Sequence, residues 1–175
     1  MIKKWKELSR ELVFEKYSRK VEKVIFRLQN EKEADLYIKN EGGVVCVLAL
    51  TPDNKVILAK QYRPGPKKIL TEIPGGLIDK NEKPEESIKR ELLEETGYTG
   101  NFKFTAKVFN DAYSSREKYC FVATSCRKIQ EIQNEGSEFT EVVLVSVEKF
   151  KEILRQGNIT DIEAGFLGLD HLKLI

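Results

Sequence analysis

The sequence predicts an α/β fold preceded by a small antiparallel β layer. Three observations carry that reading. Apolar, strand-like runs recur at Val44 to Leu50, Lys55 to Tyr62, Phe102 to Phe109, Lys118 to Thr124 and Val142 to Val147, bounded by turn residues. One helical stretch at 84 to 96 interrupts them, and two more close the chain after Ser146. Ahead of them all, residues 1–40 hold their own strand signals and end at Gly42-Gly43. The expected division is therefore 1–40, a β subdomain, and 41–175, the domain that carries the chemistry.

Composition narrows the function classes. A chain of 175 residues is long enough for one domain with a real core and a small appendage. Lys+Arg 30 nearly cancels Asp+Glu 28, and no basic block offers a surface to nucleic acid. No apolar run reaches the length of a membrane span, and the charged start Met1 to Lys6 has no apolar stretch behind it. Cys46, Cys120 and Cys126 are odd in number and lack metal spacing, so they read as reduced thiols in a cytoplasmic protein. His171 is the only histidine, which excludes two-histidine metal sites and turns the search for a general base to carboxylates.

Taken in order, Trp5, Leu8 and Leu12 have the spacing of a short helical face, with a loose tail as the alternative. Phe14 to Tyr17, Val21 to Leu28 and Asp35 to Ile38 read as strands, the last two joined into a hairpin by the polar run 29–33. So small a sheet needs something to pack against. Val44 to Leu50 is apolar throughout, the pattern of a strand buried on both faces. Pro52-Asp53-Asn54 turns the chain into the returning strand, which ends at Gln61-Tyr62-Arg63.

Next comes a glycine loop feeding an acidic helix. Pro74, Gly75 and Gly76 break regular structure and allow close approach of backbone to a ligand. Pro84 suits the first helical turn, Glu85 and Glu86 favour its positive end, and Gly97 suits the position just past the C-terminus. At about 100° per residue, Glu91, Glu94 and Glu95 share one arc beside the buried stripe of Ile88 and Leu92. Like charges so placed repel one another, and burial adds to the cost. A divalent cation relieves both, and an all-oxygen donor set suits Mg²⁺ or Mn²⁺.

This stretch resembles the Nudix box, Gly-x5-Glu-x7-Arg-Glu-U-x-Glu-Glu-x-Gly-U with U apolar. Gly76, Glu82, Arg90, Glu91, Leu92, Glu94, Glu95 and Gly97 match it, with Tyr98 at the last apolar position. The resemblance implies an α/β/α sandwich: a mixed sheet between the box helix and the C-terminal helices. It also implies hydrolysis of a nucleoside diphosphate linked to another group. Gln61-Tyr62-Arg63 and the Glu72-Ile73-Pro74-Gly75-Gly76 element are similar to those of the ADP-ribose pyrophosphatase branch. That branch implies ADP-ribose as substrate, with another nucleotide sugar such as GDP-mannose or a dinucleoside polyphosphate as alternatives. Its members carry an N-terminal sheet that in many cases serves a homodimer. A catalytically silent nucleotide-binding module is the alternative of another class.

By the same resemblance, Gly75, Glu91, Glu94, Glu95 and Glu138 are the expected metal ligands, Glu138 being best placed in the acidic loop 135–141 and Glu135 next. Glu94, Glu95, Glu138 and Arg90 are the expected catalytic group. Arg63, Glu72 and Tyr113 are the expected substrate contacts. A planar guanidinium at the end of a strand can grip a phosphate through two parallel bonds, and Glu138 or a box glutamate can take a proton. Arg90 is expected to orient the box carboxylates, and Glu82 to serve as outer ligand or as a brace from loop to helix. The loop 110–117 departs from the branch: Asp111 and Ala112 stand where Pro and Gly are usual, and Tyr113 where the aromatic is. Finally, Ser146 is placed to cap a helix that runs to Gln156 and ends at Gly157. Thr160 and Glu163 have the spacing of a capping box for a last helix, whose Phe166, Leu167 and Leu169 are expected on the sheet.

Overall fold

The structure, a computed structural model, describes residues 1–132 and 139–175. It divides into two compact units, Met1–Gly43 with Val108–Lys118, and Val44–Lys107 with Tyr119–Ile175.

The first unit is built on an antiparallel sheet of β1 (Lys6–Lys16), β2 (Arg19–Arg27) and β3 (Glu33–Lys39), in that order. The short helix expected over Trp5 to Leu12 is instead part of a strand. Register breaks between Glu7 and Ser9 and between Leu12 and Phe14 each insert a residue, so the strand's period of two slips twice. The first break accompanies the odd step from Trp5 to Leu8, and with the even step to Leu12 the spacing of three and four imitates a helix. Pairing with β2 decides the conformation, helped by an edge-to-face contact of Trp5 on Phe26 at 6.0 Å. The tip 108–118 is tied to the end of β3: Lys39 N–H donates to the Tyr113 carbonyl at 2.8 Å and Ser115 N–H to the Lys39 carbonyl at 2.9 Å.

The second unit holds a mixed sheet with strands in the order β10-β5-β4-β9-β8. These are β4 (Val44–Leu50), β5 (Lys55–Arg63), β8 (Tyr98–Phe109), β9 (Glu117–Lys128) and β10 (Thr140–Ser146), with β6 (Lys68–Glu72) on β5 and β7 (Gly75–Leu77) on β4. Residues 45–50 of β4 are buried in succession, as an unbroken apolar run requires. Val45, Val47 and Ala49 join Ile88 and Leu92 of helix α1 (Pro84–Thr96) in one core. The opposite face carries Leu48, which the backbone of Gly168 approaches so closely that a Cβ there would collide with it. Helices α2 (Val147–Gln156) and α3 (Ile162–His171) thus cover that face, with Phe150, Leu154 and Leu169 buried. Alternation along one strand builds the α/β/α sandwich.

The C-terminal helices correct two expectations. Ser146 caps α2 as expected, accepting from the Lys149 N–H at 3.2 Å. Thr160 and Glu163, however, form no capping box: α3 begins behind Asp161, without a side-chain cap. Phe166 is 37% exposed rather than packed on the sheet, because the buried residues of α3 are Ala164, Gly165, Gly168 and Leu169, with Gly168 against Leu48 of β4 and Gly165 against Leu154 and Phe150 of α2. Two short strands, β6 and β7, were not separable in the sequence; Gly75 and Gly76, read as breakers, pair with Cys46 and Val45. No helix among the described residues is long and apolar enough to cross a membrane.

Candidate active site

Helix α1 begins at Pro84, where the Glu86 carboxylate accepts from the Lys83 N–H at 3.2 Å, and ends at Gly97 in the left-handed conformation, φ 77°. Ser87, Ile88, Leu92 and Thr96 are buried, which fixes the rotation of the helix. With that stripe inward, Glu91 and Glu95 lie half-buried along one flank, and Glu94 faces out at 55% side-chain exposure.

The flank meets β7. Gly75 N–H donates to Glu95 Oε2 at 2.9 Å, and the Glu91 carboxylate rests against Gly76, where any Cβ would overlap it. At both positions closeness, not an unusual φ, makes room matter: among the described glycines only Gly97 and Gly157 are positive. On Gly75 a Cβ would strike the backbone of Val45 and Cys46.

Arg90 organises the rest. Its Nε and Nη2 hold the two oxygens of Glu82 at 3.1 and 2.9 Å. Its Nη1 donates to Glu91 Oε1 at 2.8 Å and Glu94 Oε2 at 3.0 Å, and its Nη2 also reaches the Leu77 carbonyl at 3.2 Å. The guanidinium bonds first of all hold Glu82 down at about 2, and the surrounding carboxylates raise Arg90 further. Glu82 and Arg90 therefore form a brace from loop to helix. With its donors so engaged, Arg90 acts on the carboxylates.

Arg63 and Glu72 also come together. Glu72 is 1% exposed, accepting from Arg63 Nε at 2.6 Å on one oxygen and from Thr160 Oγ1 at 2.6 Å on the other. Thr160 was missed as a member of this group, because its spacing to Glu163 pointed to a helix cap. Nothing local signals a partner 88 residues away. Tyr113 lies in the first unit, 54% exposed, at the tip held by Asp111, which accepts from Lys39 Nζ at 2.5 Å and from the Tyr113 N–H at 2.8 Å. Glu135 and Glu138 lie outside the described residues.

The fit to a metal ion can be read from the donors. The Gly75 carbonyl and the carboxylates of Glu91, Glu94 and Glu95 offer only oxygen, which suits a hard divalent cation. Glu91 and Glu94 turn to Arg90 and Glu95 to the Gly75 N–H, and no three acidic side chains among the described residues are grouped so as to hold an ion. The donor chemistry fits, and engagement of an ion requires these side chains to exchange partners.

Residues 40–163 match the NUDIX domain profile. The chain belongs to the Nudix hydrolase family. It is 31% identical to the ADP-ribose pyrophosphatase of Bacillus subtilis (strain 168) over 150 residues, 84% of this chain and 80% of that one. The ADP-ribose pyrophosphatase of Saccharomyces cerevisiae is 32% identical over 152 residues, 75% of this chain and 65% of the yeast protein. The crystal structure of an ADP compounds hydrolase shares the fold, with a TM-score of 0.83 over 99% of this chain and 96% of that one at 22% identity. Nudix hydrolases generally need a divalent metal ion, in keeping with the oxygen donors of the box helix.

Proposed function

We propose that this Nudix hydrolase is an Mg²⁺-dependent pyrophosphatase that splits ADP-ribose into AMP and ribose 5-phosphate. The observation that carries the reading is the meeting of Glu91 and Glu95 with Gly75-Gly76 at the flank of one buried helix. The two relatives named for ADP-ribose support the choice of substrate. Gly75, Glu91, Glu94, Glu95 and Glu138 would hold the ion. When bound, Mg²⁺ supplies charge neutralisation for the diphosphate and acidifies the water that attacks it.

The chain's own residues do the remainder. Arg90 keeps Glu91 and Glu94 together on one flank of the helix until they exchange it for the ion. Arg63 offers guanidinium nitrogens to the phosphates and stabilises charge as the bond breaks. Glu138, or a box glutamate, accepts the proton of the attacking water. Tyr113 offers a ring face to the base. The first unit, 1–40 in particular, is proposed to join a second copy: Leu12, Val13 and Phe14 of β1 are 47%, 45% and 51% exposed, an apolar edge that a partner would cover. Cytoplasmic residence is part of the same proposal, supported by the free thiols of Cys46, Cys120 and Cys126.

The test is direct. ADP-ribose, GDP-mannose and a dinucleoside polyphosphate are incubated with the protein and Mg²⁺ while products are separated. AMP and ribose 5-phosphate from ADP-ribose, lost with chelator and restored by Mg²⁺, are expected. Faster cleavage of another substrate would redirect the assignment, and saturable binding without turnover would make the chain a nucleotide-binding module. Sedimentation should give a dimer.

A further inference from the structure

Thr160 breaks a local rule, and its hydroxyl indicates why. With Glu163 three residues on, it has the spacing that ordinarily caps a helix. Yet α3 starts one residue late, behind Asp161 in a left-handed conformation, φ 56°, which a non-glycine residue seldom adopts. Such a departure persists only where the surroundings impose it. Here the neighbouring Ile159 is buried, 6% exposed, and the Thr160 hydroxyl is turned to Glu72 Oε1 at 2.6 Å.

The consequence falls on Arg63. A carboxylate as deep as Glu72 needs partners on both oxygens. Facing a guanidinium alone, it would favour the two-pronged arrangement, one oxygen on Nε and the other on an Nη. Thr160 occupies Oε1, so Glu72 meets Arg63 through Oε2 and Nε only. Arg63 is thereby anchored at one nitrogen, while Nη1 and Nη2 have no partner among the described residues and the side chain is 41% exposed.

We propose that Thr160 is a positioning residue for Arg63: by holding Oε1 of Glu72 it prevents a second carboxylate–guanidinium bond and keeps Nη1 and Nη2 for a phosphate of the nucleoside diphosphate substrate. This rests on the phosphate-binding role given to Arg63 under the proposed function. Removal of the hydroxyl frees Oε1 to rotate onto Arg63, and the substrate then competes with Glu72 for the guanidinium.

The experiment compares Thr160→Val, Thr160→Ala, Thr160→Ser, Arg63→Ala and the double variant Thr160→Val with Arg63→Ala. It reads kcat and KM for ADP-ribose with Mg²⁺, the Kd of ADP-ribose in chelator by calorimetry, and Tm. Thr160→Val should raise KM and Kd about three- to tenfold, the worth of one hydrogen bond, with kcat within about twofold. Thr160→Ser should restore both, and in the Arg63→Ala background Thr160→Val should add nothing. Thr160→Ala keeps the test decisive where valine disturbs the fold. An unchanged KM in both hydroxyl-deleted variants, or an equal rise with and without Arg63, overturns the proposal while the role of Arg63 stands. If Arg63→Ala itself leaves KM and Kd untouched, or the unaltered protein neither binds nor cleaves ADP-ribose, the functional reading falls and the proposal with it.

Discussion

Replacing each glycine of β7 by alanine should separate stability from activity. Gly75 and Gly76 are adjacent, neither has a positive φ, and each alanine adds one methyl group. What that methyl meets differs. On Gly75 it strikes the Val45 carbonyl and the Cys46 Cα, both backbone atoms of the buried strand β4. Neither can move without disturbing the β4–β7 pairing, so Gly75→Ala should cost about 1–3 kcal/mol. For a chain of this size that is a fall in Tm of roughly 2–12 °C. On Gly76 the methyl meets only the end of the Glu91 side chain, which can swing aside. Gly76→Ala should therefore keep Tm within about 4 °C of wild type, a cost below about 1 kcal/mol. Its effect on turnover should be large, because Glu91 is pushed from its seat beside Gly76, from which it would turn to the ion. A displacement of about 1 Å at a reacting centre can cost on the order of 100-fold, and kcat should fall by about that much. Thermal melts and product release under saturating Mg²⁺ provide the two readouts. Wild-type kcat in a well-folded Gly76→Ala protein would refute the claim that the seat of Glu91 on this glycine matters to the chemistry.

Further outcomes follow from neighbouring features. Glu95→Gln keeps an oxygen for the Gly75 N–H but loses the charge, so turnover should drop by about 10- to 100-fold or more with Tm nearly unchanged; full activity would remove Glu95 from the proposed ligand set. Leu92→Ala empties a fully buried position in the core under the sheet and should cost about 2–5 kcal/mol in urea unfolding; a loss under about 1 kcal/mol would mean the helix is not held by that contact. Burial pushes the Cys126 thiol from 9.0 up to about 11. Below the lower value both folded and unfolded chains keep the proton; between the two only the unfolded chain releases it, so stability should fall as pH rises through that window. The fall is at most about 3 kcal/mol at 1.36 per pKa unit, and Cys126→Ala should abolish it; equal slopes with and without the thiol would contradict the burial.

The legible part of this protein was the part written in neighbouring residues. The box helix has its proline at the start, its glycine at the end and Ile88 and Leu92 between them, so its bounds of Pro84–Thr96 emerge from local rules. The buried strand β4 and the cap at Ser146 were equally plain. Residues 5–12 were misread because the bulge between Glu7 and Ser9 accompanies an odd step from Trp5 to Leu8, and only pairing with β2 reveals it. Phe166 was placed on the wrong side for a related reason. The small residues Gly165 and Gly168 let α3 approach Leu154 and Leu48, and a pattern based on hydrophobicity does not register that absence of bulk.

The sequence alone determined which groups are on offer for the proposed chemistry: oxygen donors at helical spacing, a glycine pair before them, and an arginine at the end of a strand. The placing of the carboxylates on one flank follows from i to i+4 geometry, which no distant contact alters. Only the tertiary structure decided which partner each group takes. Arg90 gathers Glu82, Glu91 and Glu94, while Thr160 leaves its own helix for Glu72. The physical reason is that a buried carboxylate must be satisfied by whatever the fold brings beside it, and folding brings together residues that the chain keeps far apart.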